Sequence, residues 1–198
     1  ILDRLLILQQ DPAIASIQAE LRPGLRPGEA ILALVIEESA PLRLGLAYGN
    51  TRSPAVGANR GELAATWINP TGAGDALNLR LGKTIGAEDY ALTYARPITA
   101  YDTLLTVRAD RSTSKVVESP FNTLDIRSTI TTFGAGLVQP LVKTPAETLS
   151  IGAAIDQRKS TTSLLGQPFS FSPGVQDGVA RTTALRLSQD WLARGTDA

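Results

Sequence analysis

An almost wholly β fold of antiparallel hairpins, spanning a membrane as a segment of a barrel, is predicted for this 198-residue chain by three observations. From Leu42 onward apolar residues recur at every second position. Turns containing Gly and Pro separate the alternating segments, short at one end of the hairpins and long at the other. The polar positions between the apolar ones are filled by Arg, Asp, Gly and Ala rather than by the Lys and Glu of an ordinary wet face.

Each element follows in order. Residues 1–10 read as a short amphipathic helix, with Ile1, Leu2, Leu5, Leu6 and Leu8 crowding one side. Asp11-Pro12 ends it, because the residue before a proline avoids the helical region. Ile17, Ala19 and Leu21 alternate with Gln18, Glu20 and Arg22 in a half-buried strand. Arg22-Pro23-Gly24-Leu25-Arg26-Pro27-Gly28 reverses the chain. Ile31–Ile36 is an unbroken apolar run, expected to form a strand buried on both faces. Residues 1–38 thus give helix, strand, hairpin, strand, too little to fold alone and therefore expected to be the tail of a truncated domain.

Beyond Leu42, one parity carries Leu42, Leu44, Leu46, Tyr48; Leu77, Leu79, Leu81; Tyr90, Leu92, Tyr94; Leu105, Val107, Ala109; and Leu149, Ile151, Ala153, Ile155. Every residue between them within a segment is polar, Gly or Ala. Weaker strands are expected near 62–69, 125–138 and 180–191, which makes about eight. Connections at 70–74, 97–102 and 139–146 are short. Those at 50–61, 113–124 and 159–179 are long and polar, with 83–88 the exception. Short turns on one rim and long loops on the other are a mark of outer-membrane barrels.

Composition narrows the function. There is no Cys, Met or His, and Lys+Arg 19 balance Asp+Glu 19. Thiol and imidazole catalysis are excluded, sulfur metal sites with them, and a neutral chain lacks the basic footprint of a nucleic-acid binder. No run of 18 apolar residues is present to make a transmembrane helix, but barrel strands need only about 9–11 alternating residues. Two architectures satisfy the alternation. In a soluble sandwich the apolar face packs on a second sheet; in a membrane barrel it meets lipid, and the polar face lines the lumen. Loop asymmetry favours the barrel. So do the aromatics: Trp67 and Trp191 fall at one rim, Tyr48 and Tyr90 at the other, as membrane-interface rings do, although core aromatics would share their parity. Arg43, Asn78, Arg80, Arg108, Asp110, Asp156, Arg158 and Arg186 are then lumen-facing, Arg offering a planar fork to several acceptors. Asp110, Asp156 and Asp190 stand as isolated carboxylates, explained by a lumen more simply than by a glycosidase pair. No catalytic residue and no metal site is identified, and Gly72-Ala73-Gly74 is not a phosphate loop because no helix follows.

Specific motifs accompany this pattern. Pro41-Leu42-Arg43-Leu44-Gly45-Leu46-Ala47-Tyr48-Gly49-Asn50, then Gly57-Ala58-Asn59-Arg60-Gly61-Glu62-Leu63, then Asn69-Pro70-Thr71-Gly72-Ala73-Gly74-Asp75-Ala76-Leu77, resemble the first barrel hairpins of the outer-membrane transporters of two-partner secretion, the haemolysin and filamentous-haemagglutinin secretion/activation proteins. Residues 1–39 resemble the C-terminal part of that family's second POTRA module, and 40–198 the N-terminal half of its barrel. The family's signal peptide, plugging helix, first POTRA module, later strands and Val-Arg-Gly-Tyr loop tip have no counterpart here; about 150 or more residues upstream and about eight further strands downstream are expected.

The resemblance implies an outer-membrane location in a Gram-negative bacterium with the POTRA part in the periplasm. It implies no enzymatic activity and no cofactor. The implied partners are a secreted exoprotein (an adhesin or haemolysin) through its N-terminal secretion domain, and outer-membrane lipid, with no nucleic acid. Ile31, Leu32, Ala33, Leu34 and Val35 form the expected client-binding edge, by β-augmentation, unless that run is a plain central strand of its module. The alternatives are an outer-membrane assembly factor of the same superfamily and a soluble β-sandwich binding module.

Overall fold

Eight long strands lie edge to edge in one antiparallel sheet, preceded by a helix and a two-stranded ribbon. The computed structural model describes residues 2–26 and 28–195. Ile1 of the predicted helix, Pro27 of the predicted turn and residues 196–198 lie outside the described residues.

Helix α1 (Leu2–Leu8) is closed by a turn at Gln9-Gln10, and the Asp11 carboxylate accepts from the Ala13 N–H at 2.8 Å. Strands β1 (Ile14–Pro23) and β2 (Ala30–Glu38) pair antiparallel, with Ile17 opposite Ile36 and Leu21 opposite Leu32. The expectation of a strand buried on both faces is not met. Ile31, Leu34, Val35 and Ile36 are exposed, because β2 pairs with β1 along one edge and no described element covers either of its faces.

The sheet then runs as a meander: β3 (Leu42–Gly49), β4 (Arg60–Ile68), β5 (Ala76–Lys83), β6 (Ala87–Pro97), β7 (Leu104–Lys115), β8 (Arg127–Lys143), β9 (Glu147–Leu164), a two-residue β10 (Gln167–Pro168) and β11 (Val179–Ala193). Each strand pairs with its sequence neighbour, save that β10 and β11 both pair with β9. Among the described residues β3 and β11 each keep one unpaired edge, so the sheet is open.

Several boundaries differ from the sequence expectation: 60–61 belong to β4 and 113–115 to β7, and two differences are larger. Residues 139–143 belong to β8, not to a turn. Pro140 has no N–H to give the ladder, and the register slips between Pro140 and Val142 to accommodate it. The connection shrinks to 144–146. Likewise 159–164 continue β9 past the alternating segment, because Lys159–Ser163 are polar on both faces and pair with β8 throughout.

The turn at 69–75 shows why its residues are there. Asn69, Gly72 and Gly74 all take positive φ (56°, 80° and 72°). The Gly74 N–H donates to Asn69 Oδ1 at 2.8 Å, and the Thr71 N–H to Asp75 Oδ1 at 3.1 Å. Tyr94 closes the arrangement by donating its hydroxyl to Asp75 Oδ2 at 2.9 Å. Asp75 is only 1% exposed. Burial pushes its carboxyl up, but the hydrogen bonds from Tyr94 and Thr71 outweigh burial and hold it below its ordinary value.

Among the described residues the sheet has no second layer. Ile68 is the one buried apolar residue among those described, while Leu42, Leu44, Leu46, Tyr48, Leu185 and Leu187 are all more than half exposed. A folded soluble protein of 20.9 kDa shows about 9,000 Å² of surface; this chain shows 13993 Å². If half of the roughly 5,000 Å² excess is apolar, wetting it costs about 60 kcal/mol. That exceeds the usual domain stability of about 5–15 kcal/mol several-fold. The described residues therefore supply no second sheet to make a sandwich over this face, and an apolar medium such as lipid meets its requirement.

The apolar zone also slides along the sheet. One ladder row joins Leu42, Trp67, Leu77, Tyr94, Val107, Ala135, Ile155 and Leu185. In β3 this row is the short-turn edge of the zone, which extends upward to Tyr48. In β11 it is the opposite edge, and the zone extends down to Trp191. Tilted strands crossing a level slab produce this slip.

Charge placed on the two faces must therefore act unequally. In lipid vesicles Leu92→Arg, on the apolar face, is expected to lower stability by about 2–4 kcal/mol. Its neighbour Ala91→Arg, between Arg80 and Asp110 on the polar face, should change it by less than about 1 kcal/mol. Urea unfolding of the lipid-inserted protein checks both.

Candidate functional site

The polar face of the sheet gathers all eight residues that the sequence marks as lumen-facing. Arg43, Asn78, Arg108 and Asp156 share one ladder row, joined through Thr66, Thr93 and Gly134. Arg80, Asp110 and Arg158 share the adjacent row, and Arg186 stands opposite Ala154 on the other side.

Only three of the eight are brought into mutual contact. Asp156, 5% exposed, receives Arg108 Nε at 3.0 Å and Arg108 Nη2 at 2.6 Å on one oxygen, and Arg186 on the other. Asp156 is thus not the isolated carboxylate that the sequence suggests; Arg108 reaches it from β7 across β8, and Arg186 from β11 on the other side. Gly134 makes this possible, since a Cβ there would collide with Asp156 Oδ1 and Arg108 Nε. A depression of about 520 Å³ opens beside the triad, with Thr106, Gly136 and Ala154 on its wall.

The rest are held separately. Arg43 donates to the Pro12 carbonyl at 3.2 Å, tying the ribbon's base to the sheet. Asn78 accepts from the Thr66 hydroxyl at 2.8 Å, and Arg80 lies 3.4 Å from Glu62. Asp110 and Arg158 make no ion pair within 4 Å among the described residues.

A second network on the same face escapes sequence reading. Arg60 bridges Glu62 (3.0 Å) and Asp89, and Asp89 also accepts from Arg52 at 2.8 Å and Ser112 at 2.6 Å. Gly82 leaves room for it, as a Cβ there would strike the Arg60 guanidinium. Through Arg52 the network anchors the 50–59 loop, whose backbone also joins the neighbouring connections by Gly86 N–H to Val56 (3.0 Å) and Val117 N–H to Ala55 (2.8 Å). The available signal was parity: Glu62 and Asp89 sit on the Arg80 face, at strand ends where apolar alternation has stopped.

The other predicted residues lie apart from this face. Ile31–Val35 occupy β2, opposite Arg22 to Gln18 of β1, and the far edge of β2 is unpaired among the described residues. Tyr48, Trp67, Tyr90 and Trp191 are exposed on the apolar face. Trp67 and Trp191 stand beside the 69–75 and 144–146 turns, Tyr48 and Tyr90 toward the opposite rim. Two of these rings direct polar atoms to rim carboxylates: Trp191 Nε1 donates to Glu147 at 2.8 Å, Tyr90 to Glu88 at 3.0 Å. Tyr94, bonded to Asp75, joins the Trp67 rim without having been singled out. No group of three or more acidic residues among those described is arranged to hold a metal ion.

Asp156 is the electrostatic keystone of the polar face. Asp156→Ala leaves two guanidinium groups facing each other without their acceptor, an expected loss of about 2 kcal/mol. Asp156→Ala with Arg186→Ala should recover part of it. Urea midpoints of the single and double variants measure the coupling.

Comparison with known proteins places this geometry. Residues 28–174 match the family model described as haemolysin secretion/activation protein ShlB/FhaC/HecB, and the chain belongs to that family. No curated protein matches it. Among solved structures it is similar to CdiB from Escherichia coli (TM-score 0.76, 17% identity, covering 96% of this chain and 37% of that one). It is similar also to CdiB from Acinetobacter baumannii (0.67, 13%, 94% and 35%). A third likeness is to BamA from Haemophilus ducreyi lacking POTRA domains 1-3 (0.60, 12%, 96% and 37%). At these identities the likeness is one of fold, a mostly antiparallel β-barrel segment. The chain spans little more than a third of each of these structures.

Proposed function

We propose that this member of the haemolysin secretion/activation family is part of an outer-membrane transporter of two-partner secretion, exporting a large exoprotein such as an adhesin or haemolysin. Residues 40–198 form the N-terminal half of the barrel. Residues 1–39 form the C-terminal part of a POTRA module on the periplasmic side. The observation that carries the reading is a single-layer sheet with one uncovered apolar face and one arginine-rich face, in a chain whose family is a transporter family.

The physical roles divide by face. Lipid covers the apolar side. Arg43, Asn78, Arg80, Arg108, Asp110, Asp156, Arg158 and Arg186 keep the opposite side hydrated, so that an extended chain passes without finding an apolar surface to adhere to. Eight strands closed on themselves leave an interior just wide enough for side chains, whereas 16–18 leave an aqueous channel. The free edges of β3 and β11 accordingly receive further strands, since in lipid every backbone group needs a partner. On the periplasmic side, the unpaired edge of β2 offers main-chain hydrogen bonds to an extended client with little demand on its sequence. No step requires a catalytic residue. An assembly factor shares the fold; the family match favours secretion.

Site-specific photocrosslinking in cells secreting the exoprotein tests this. With the full-length protein carrying a photoreactive residue, client adducts are expected from Thr93 on the polar face and from Val35 on the β2 edge, and none from Leu92. Adducts from Leu92, or none from Thr93, would overturn the reading.

A further inference from the structure

On the apolar-parity face, just past the long-loop edge of the apolar zone, three cations share one ladder row. Arg111 of β7 stands opposite Thr131 of β8, which faces Lys159 of β9, which faces Arg181 of β11. All three cations are exposed, and among the described residues none makes an ion pair within 4 Å. Lys159 and Arg181 are direct cross-strand neighbours, an arrangement that repels. Two strand spacings, about 10 Å, separate Arg111 from Lys159.

Among the described residues no carboxylate reaches them within ion-pair distance. The row toward the loops is Thr113, Thr129, Thr161 and Val179; the row toward the membrane is Ala109, Phe133, Gln157 and Thr183. These eight positions hold no carboxylate; on β6 the loop-side row continues to Glu88, opposite Thr113. Of the nearby acids, Asp125 is engaged by Arg127 and Lys115 and Glu88 by Lys83 and Tyr90, while Asp177, which lines the depression beside Thr161 and Val179, pairs with none of the three cations within 4 Å. Immediately below, Phe133, Ile155 and Leu185 are each more than half exposed. Any molecule lying against the cations therefore also meets an apolar wall. That combination selects an amphiphile with an anionic head over a soluble polyanion.

We propose that Arg111, Lys159 and Arg181 form a binding site for the phosphate of a lipid headgroup at the long-loop rim, with Thr131, Gln157 and Thr183 as additional hydrogen-bonding groups. The head's charge relieves the Lys159–Arg181 repulsion, and its acyl chains lie on Phe133, Ile155 and Leu185. The inference rests on the membrane reading above, and adds to it a defined lipid contact on the outer wall of the sheet.

Native mass spectrometry of the full-length protein in detergent, titrated with diphosphoryl lipid A, provides the test. Lysine 159 and arginine 181 changed together (Lys159→Gln with Arg181→Gln) should weaken lipid A binding about tenfold or more, given about 1 kcal/mol for each basic residue near a charged lipid surface. Arg111→Gln alone should weaken it less, and Lys143→Gln at the opposite rim should leave it unchanged. Binding should fall with added salt, and inorganic phosphate at equal concentration should not displace the lipid. Equal binding by the double variant, with its strand signal in circular dichroism intact, would overturn the site. Competition by inorganic phosphate on equal terms would overturn the lipid as its source. A protein that inserts into phosphatidylcholine bilayers yet shows no preference for lipid A refutes this inference alone. One that stays monomeric in buffer and enters no bilayer refutes the membrane reading together with it.

Discussion

A sheet one layer thick has two faces, and neither can be hidden by the chain that forms it. In this protein everything else depends on how that constraint is met. Leu44, Leu46, Leu185 and Leu187 stay exposed because no helix or second sheet among the described residues lies over them, and exposing so much apolar area to water is costly. The solvent of one face is thus dictated before any functional argument begins. Once that face is assigned to lipid, period 2 hands the opposite face to whatever the sheet encloses.

The enclosed face is shaped by glycine as much as by charge. Arginine is long and planar, and two of these arginines reach their acids only because the intervening position has no side chain: Gly134 beneath the Arg108–Asp156 contact and Gly82 beneath Arg60. The alternation of Arg and Asp with Gly and Ala, which in the sequence is a compositional oddity, is in the structure a packing arrangement. Small residues let guanidinium groups lie across the strands toward partners two strands away. The acids at both contacts are held by guanidinium groups, and the face stays polar.

Legibility in the sequence followed the environment of each residue. The strands over 42–48, 77–82, 90–95 and 105–110 were readable because one face meets an apolar medium and the other does not. Where both faces are polar, as at Lys159–Ser163, alternation vanishes and the sequence alone resembles a loop. Pro140 signals a turn because a proline interrupts a ladder, yet a register slip absorbs it. The Asn69–Asp75 turn is legible from its glycines, though the hydroxyl of Tyr94 that secures Asp75 comes from the strand paired with β5. Ile31–Ile36 misled: six apolar residues in a row imply burial, but β2 has a partner along one edge only. Among the polar-face residues, parity told which side each occupies. It could not tell that Asp156 holds two arginines or that Asp89 gathers Arg52, Arg60 and Ser112, because those meetings depend on cross-strand register.

The central claim, that the two parities of these strands face different media, is tested most directly by spin-label accessibility along β7 in the lipid-reconstituted full-length protein. Labels at 105, 107 and 109 are expected to collide with dissolved oxygen, and those at 106, 108 and 110 with a water-soluble nickel chelate. The two profiles should then oscillate out of phase with a period of two residues. Nickel accessibility at 105, 107 and 109, or profiles that rise and fall together, would contradict it.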